Sequence, residues 1–369
     1  MNEKIIYILL IVAIILLASY AFKLLNTTPH DYQTISNSMT IYRINTSMDT
    51  TQPSVEISPA LISSGIFSKT NNYNECTFLT FQSVNSIEQD LQKIKYHKNL
   101  KYVFAFQGLD TLANKKIFTQ TLNKNGLQEY IPKTWLLNDE KEIKQYLGDS
   151  SKQNIIILKN NAQQQKGLNI INSWDDKAEY SKKYVIAQEL LQNPLLIAGH
   201  KINIRIYLMI FIQNGEIKTF FFNNGFIYYA PSKWRYNTTL ADVNITTGLG
   251  DRKLYEENPL TYQDLKNVLK QNEFDTLQKN LYTLMKNVIG VYKDNLVKKN
   301  SNKKNITYAH VMGCDIAPES DYKVKIMEIN KGPDLRFKDV RDKEVKQNLC
   351  TDFQNYLITK TVSEQMIEI

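Results

Sequence analysis

The sequence predicts a mixed α/β fold, and three observations predict it. Between residues 61 and 148, short β-rich runs alternate with runs of helical period. From residue 154 onward the apolar runs are short, β-branched or aromatic, and separated by turn residues, which argues for paired strands. One long segment, 273–288, breaks that rhythm: Phe274, Leu277, Leu281, Leu284, Met285 and Val288 recur at helical spacing, so it is a packing helix.

Taken in order, the first unit gives a strand at 76–81, a helix at 86–96, a strand at 101–106 and a helix at 115–122. A short strand at 134–137 follows Pro132, and a helix covers 139–147. Residues 154–160 form a continuous apolar strand ending in Lys159, and the chain returns as a strand at 168–171. A strand at 184–191 is broken by Asn193-Pro194, and 201–210 alternates so that Lys201, Asn203 and Arg205 share one face and Ile202, Ile204 and Ile206 the other. Strands at 217–222 and 226–229 are expected to pair around an Asn223-Asn224-Gly225 hairpin turn.

Composition bounds the function. The 369 residues, 43% of them hydrophobic, can bury a sizeable core, and the content of 22 Tyr and 15 Phe is globular rather than disordered. The formal charge of +8 suits an acidic partner. The basic residues are diffuse and form no basic-aromatic module, so nucleic acid is not expected. Three cysteines without paired or metal-binding spacing point to a reducing compartment. Residues 5–22 are an uncharged apolar run of 18 residues between Lys4 and Lys23, read as a single-pass membrane anchor. Ser19-Tyr20-Ala21 is a poor cleavage site, which favours an uncleaved anchor over a signal peptide. The Ser-, Thr- and Asn-rich stretch after it reads as a tether.

The chemistry concentrates in 309–335. A strand ends near Asp315, a polar turn spans 318–321, and a second strand at 324–329 runs into Asn330 before Gly332-Pro333. Glu328 and Asn330 are two apart and therefore share a face. With Asp315 alongside, they form two anionic and one neutral oxygen ligand, a set suited to Mg²⁺. Either acid alone would be an ordinary strand-end carboxylate. Lys159, followed by a polar loop with Lys166-Gly167, can set an ammonium and backbone N–H groups around phosphates.

Lys159 with its glycine loop, the segment QELLQNPLLIAGHKINIRIY, and Asp315 followed thirteen residues later by Glu328-x-Asn330 together resemble the tubulin–tyrosine ligase-like family of ATP-grasp ligases. The resemblance covers roughly residues 130 to 335 and rests on order, intervals and residue types agreeing together. It implies an ATP-grasp fold with mixed and antiparallel sheets, preceded by a smaller α/β domain. The division is 1–23 anchor, 24–60 linker, 61–150 N-terminal domain, 151–355 catalytic domain and 356–369 tail.

The resemblance also implies roles. Lys159, Lys166, Gly167 and Lys201 would meet the phosphates of ATP. Gln188, Glu189, Leu190 and Leu191 would form the hinge along adenine, with Asn203 and Thr246 also at the nucleotide. Arg205, with Lys201 and Glu328, would serve the transferring phosphoryl group. Asp315, Glu328 and Asn330 would hold Mg²⁺, and Lys116 of the first unit would reach the nucleotide. The chain departs from the pattern in five places. Asn160 follows Lys159 where Pro is usual, and Glu189 stands for Lys. Asn203 replaces an acid, Asn244-Ile245-Thr246-Thr247 replaces His-Leu-Thr-Asn, and Tyr228 stands for a second Arg.

The activity implied is ATP- and Mg²⁺-dependent addition of an amino acid to a protein carboxylate through an acyl-phosphate. An acidic polypeptide such as a tubulin tail would be the acceptor, and the catalytic domain would face the cytosol. Two other readings stay open: a small-molecule carboxylate–amine ligase, and an inactive ATP-binding adaptor tethered to a membrane.

Overall fold

The computed structural model describes residues 39–44, 57, 61, 64–81, 86–149, 154–160, 167–175, 179–246, 253–301, 303, 305–336 and 339–369. The chain divides into residues 1–39 and a second unit, Thr40–Ile369, to which every element discussed from Ile41 onward belongs.

The expected single-pass membrane anchor is not supported. Among the described residues no helix is long and apolar enough to cross a membrane. The two helices of sufficient length, 20 residues each at Gln271–Gly290 and Val340–Thr359, bury one side and carry Glu273, Lys279, Lys286, Arg341 and Lys343 elsewhere. Residues 5–22, on which the expectation rested, lie outside the described residues.

The fold is mixed α/β with two sheets. The strands are β1 (Met39–Ile44), β2 (Phe67–Lys69), β3 (Phe78–Phe81), β4 (Tyr102–Val103), β5 (Thr134–Leu136), β6 (Ile156–Lys159) and β7 (Leu168–Ile171). They continue with β8 (Ile186–Glu189), β9 (Leu196–Ile197), β10 (His200–Gln213), β11 (Glu216–Tyr229), β12 (Thr307–Pro318), β13 (Val324–Asn330) and β14 (Met366–Glu368). The larger sheet runs β14-β11-β10-β12-β4-β3-β1-β2, with β13 added to β12 and β9 to β10. It thus draws strands from both the 61–150 and the 151–355 stretches. The smaller sheet runs β5-β8-β6-β7 and is antiparallel throughout.

The helices are α1 (Ile87–Gln92), α2 (Leu109–Ala113), α3 (Lys115–Lys124), α4 (Glu140–Leu147) and α5 (Tyr180–Lys183). After them come α6 (Ala241–Asn244), α7 (Leu254–Glu257), α8 (Gln271–Gly290), α9 (Lys293–Asn300) and α10 (Val340–Thr359). In α8 the six residues picked out by helical period are all buried, so the periodicity reported a core face. Helix α10 was not anticipated. It packs Phe353 on Phe211 at 5.1 Å and Tyr356 on Phe220 at 4.8 Å between ring centroids.

One turn was misassigned by the sequence. Residues 223–225 do not form a hairpin; β11 runs through them as a single strand of 14 residues. The hairpin lies instead at Asn214-Gly215, between paired Gln213 and Glu216, with φ values of 53° and 84°. Two consecutive positive φ angles are what a two-residue type I′ turn needs, and Asn-Gly supplies both. Asn223–Gly225 serves a different purpose: the pairing of β10 with β11 shifts register between Ile206 and Tyr207, opposite this segment. A Cβ on Gly225 would lie 1.9 Å from the Arg205 carbonyl oxygen, so the irregularity requires glycine.

Candidate functional site

The site is built from strand alternation. In the smaller sheet, Ile156 and Leu158 point to a core with Trp135, Leu137, Ile143 and Ala187. Period two then turns Ile157 and Lys159 to the opposite face, where both line a cavity of about 360 Å³. Ile157 pairs with Gln188, which puts Gln188 on the face of Lys159, one step along the diagonal. Lys159 Nζ donates to Gln188 Oε1 at 2.6 Å, and Gln188 Nε2 donates to Thr134 Oγ1 at 2.9 Å. In the larger sheet Ile202, Ile204 and Ile206 are fully buried, while Lys201, Asn203 and Arg205 face the same cavity.

Three adjacent strands then place charges in a row. Arg205 on β10 pairs directly with Asp315 on β12, and Asp315 pairs with Glu328 on β13. The β12–β13 ladder slips by one residue just beyond, between Asp315 and Ile316, which admits Met327 to the cavity wall beside Glu328. Arg205 grips Asp315 with both arms, Nε to Oδ1 at 2.5 Å and Nη2 to Oδ2 at 3.0 Å. Asn330 Nδ2 donates to Asp315 Oδ2 at 3.2 Å and to Glu328 Oε1 at 3.1 Å. Lys115 Nζ completes the row, 3.1 Å from Glu328 Oε2. Gly313 leaves room for the arginine, since a Cβ there would meet Arg205 Nη1 at 3.1 Å. The Tyr228 ring covers the guanidinium carbon at 5.3 Å.

Of the residues singled out in the sequence, Lys159, Leu190, Leu191, Lys201, Asn203, Arg205, Thr246, Asp315, Glu328 and Asn330 all line this cavity. Gln188 reaches it through Lys159. Gly167 and Glu189 do not line it. Gly167 accepts from the Asn160 backbone N–H at 3.2 Å, and Glu189 accepts from the Tyr146 hydroxyl at 3.2 Å. Lys166 lies outside the described residues. The lysine of the first unit that lines the cavity is Lys115, not Lys116. Asn114 caps α3 by accepting from the Lys116 and Ile117 backbone N–H groups, which sets Lys115 toward Glu328 and leaves Lys116 exposed. Sequence reasoning also missed Asp334 and Arg336, which line the cavity and pair with each other at 2.9 and 3.0 Å. Their i, i+2 acid–base spacing beyond Gly332-Pro333 was the available signal.

Burial sets the electrostatics. Desolvation lowers the Lys159 ammonium to about 8, although Glu328 opposes the shift. Lys201 also falls to about 8, through burial and the neighbouring Lys159 charge. Burial pushes the Asp315 carboxyl up, against the pull of Arg205. Glu328 goes the other way: burial raises it, but Lys115 and Lys159 together outweigh that and hold it down to about 2. Among the described residues Asn203 Oδ1 is buried without a hydrogen-bond partner, an acceptor whose desolvation costs about 1–3 kcal/mol until a ligand donor satisfies it.

A magnesium nucleotide fits this lining. Ile157, Leu168, Leu190, Leu191 and Met327 offer apolar surface for a base, and Lys159 and Lys201 bring two buried ammonium groups to the same cavity. Asp315, Glu328 and Asn330 are a hard oxygen set. They offer oxygen rather than thiolate or imidazole donors, the type that suits Mg²⁺.

A stability prediction follows from Lys201. Its folded-state value of about 8 lies below the ordinary 10.5, so the unfolded chain binds the proton more tightly. The ammonium therefore costs stability below pH 8, and the cost is relieved as pH rises from 8 to 10.5. Lys201→Met is expected to raise the unfolding free energy of the ligand-free protein at pH 7 by about 2 kcal/mol, with the gain shrinking above pH 8. Urea denaturation of both proteins at pH 7 and 9.5 checks this.

Comparison with known proteins agrees with the geometry. The family model described as the tubulin-tyrosine ligase family matches residues 95–366. Tubulin polyglutamylase TTLL7 of Mus musculus is 20% identical over 328 residues, covering 80% of this chain and 35% of its own length. Probable tubulin polyglutamylase TTLL9 of Mus musculus is 22% identical over 187 residues, 49% of this chain and 40% of that protein. Inactive polyglycylase TTLL10 of Homo sapiens is 24% identical over 167 residues, 41% of this chain and 24% of that protein. The chain thus spans about a third of the length of its TTLL7 relative. The family match alone extends over well more than half of the sequence, through the smaller sheet and every strand that carries a cavity cation or carboxylate, and the chain belongs to the tubulin-tyrosine ligase family.

Proposed function

We propose that this protein is an ATP- and Mg²⁺-dependent ligase of ATP-grasp type that joins an amino acid to a carboxylate of an acidic polypeptide. The observation that carries the reading is the convergence of Lys159, Lys201 and Arg205 with Asp315, Glu328 and Asn330 on one cavity. The relatives named as polyglutamylases support an acidic, tubulin-like acceptor, and the formal charge of +8 suits one.

In this mechanism an acceptor carboxylate oxygen attacks the γ-phosphorus of ATP, the β–γ bridging bond breaks and ADP leaves. The donor amine then attacks the acyl carbon, phosphate departs with the electron pair of the C–O bond, and the proton lost by the nitrogen passes to the departing phosphate or to solvent. A bound Mg²⁺ ion supplies charge neutralisation at the phosphates, and Asp315, Glu328 and Asn330 would hold it. Lys159 and Lys201 bind the phosphate chain, with Lys159 oriented by Gln188. Arg205 stabilises charge on the transferring group from its place beside Tyr228. Asn203 Oδ1 takes a hydrogen bond from the nucleotide. Apolar walls limit water at the acyl-phosphate.

The test is incubation of the full chain with MgATP, an acidic tail peptide and each of Tyr, Glu and Gly, reading peptide mass and ADP. A mass increment with stoichiometric ADP is expected, and its size names the donor. ADP formed only with small carboxylic acids would shift the reading to a small-molecule ligase. Nucleotide binding with no ADP under any substrate would make the protein an inactive binder, the outcome that Asn203 and Tyr228 would then explain.

A further inference from the structure

We propose that Arg205 and Lys115 are resident counterions of the Asp315–Glu328 pair, and that they make metal binding conditional on nucleotide. The inference rests on the nucleotide reading above and concerns how the site fills. Every carboxylate oxygen of the pair already meets a donor of this chain. Asp315 Oδ1 takes Arg205 Nε at 2.5 Å, and Oδ2 takes Arg205 Nη2 at 3.0 Å and Asn330 Nδ2 at 3.2 Å. Glu328 Oε1 takes Asn330 Nδ2 at 3.1 Å, and Oε2 takes Lys115 Nζ at 3.1 Å. Two cations against two carboxylates leave the row neutral, while Lys159 and Lys201 add positive charge beside it.

A divalent cation arriving alone meets a compensated pair flanked by two further ammonium groups. It must displace Arg205 and Lys115 within a buried cavity whose further described carboxylate, Asp334, is already held by Arg336, and uncompensated buried charge is costly. The phosphates of a nucleotide change that balance. They give Arg205 and Lys115 new partners, and the carboxylate oxygens become available to a metal. The exchange is local. Arg205 is half-buried, with a side chain 14% exposed, held between Gly313 and the Tyr228 ring, and Lys115 sits at the first turn of α3. Metal and nucleotide therefore bind with positive coupling, and by linkage each raises the affinity of the other by the same factor.

Electron paramagnetic resonance of free and bound Mn²⁺ tests this on the full chain, with no turnover needed. The wild type is expected to bind Mn²⁺ about 10- to 100-fold more tightly in the presence of the non-hydrolysable analogue AMP-PNP than in its absence. Lys115→Met is expected to tighten nucleotide-independent Mn²⁺ binding about tenfold and to shrink the coupling. Arg205→Lys, which keeps the charge but loses the two-armed grip, is expected to fall between. Circular dichroism melts of each variant identify any that fail to fold. Equal Mn²⁺ affinity with and without AMP-PNP in the wild type, or unchanged Mn²⁺ binding in a folded Lys115→Met, overturns the counterion assignment while leaving the nucleotide site standing. Absence of bound Mn²⁺ even with AMP-PNP overturns both.

Discussion

Glu328→Gln is expected to reduce ATP-dependent ligation by about 10²- to 10³-fold, the scale seen when one preorganised charge partner of a transition state is removed. The substitution keeps the volume and an acceptor oxygen but removes the charge that faces Lys115 and Lys159. It should also weaken the fold. The carboxyl is held down to about 2 against an ordinary 4.5, so its stabilisation is fully present above pH 4.5 and is lost as pH falls toward 2. At pH 7 the variant should unfold with roughly 2–3 kcal/mol less free energy than the wild type. At pH 3 the gap should have narrowed. Guanidinium unfolding at the two pH values, beside the peptide-mass assay, measures both effects. Full ligase activity in a folded Glu328→Gln would remove the carboxylate row from the mechanism.

Gly225→Ala should cost both stability and activity heavily for a single added methyl. Its Cβ would sit 1.9 Å from the Arg205 carbonyl oxygen, a backbone atom that no rotamer change can move aside. The β10–β11 ladder has to open at its register shift, at a cost of about 3 kcal/mol or more. Because Arg205 itself is the residue pushed, activity should fall even where the variant remains folded. Thermal melting together with nucleotide affinity separates the two losses. Gly215→Ala is the useful contrast. Its Cβ would meet nothing within 4 Å, so the strain comes only from its φ of 84° in the Asn214-Gly215 turn, and nucleotide affinity should hold.

The comparison of these two glycines shows what the sequence carried. A side-chain pattern of period two was enough to read Lys201, Asn203 and Arg205 as one face, and to read Glu328 and Asn330 as another. Interval and order alone join them to Asp315 and Lys159. Pairing partners were less legible. Asn223-Asn224-Gly225 and Asn214-Gly215 both contain an Asn-Gly dipeptide, and local preference cannot say which one reverses the chain. That is decided by where Phe220–Phe222 and Phe226 find buried neighbours, a property of the assembled sheet.

Lys115 illustrates a second limit. Two adjacent lysines open α3, and the one that faces the site is chosen by the Asn114 cap and the angle of helix entry. Helix α10 hid for a third reason. Its buried set includes Asp342 and Lys346, which face each other at 3.6 Å, and Asp352, which accepts from the Ser363 hydroxyl; these polar positions interrupt the apolar stripe that betrays a packing helix.

The last strand has a consequence for handling the protein. β14 lies along the outer side of β11, pairing Met366 with Phe222 and Glu368 with Phe220, and the Ile369 backbone N–H donates to the Thr219 carbonyl at 3.0 Å. Without it, β11 would present unpaired amides and carbonyls at three consecutive phenylalanines, Phe220–Phe222, an invitation to edge-to-edge aggregation. A chain shortened by nine residues would keep every cavity group named above, yet it should be lost from solution before its chemistry could be assayed.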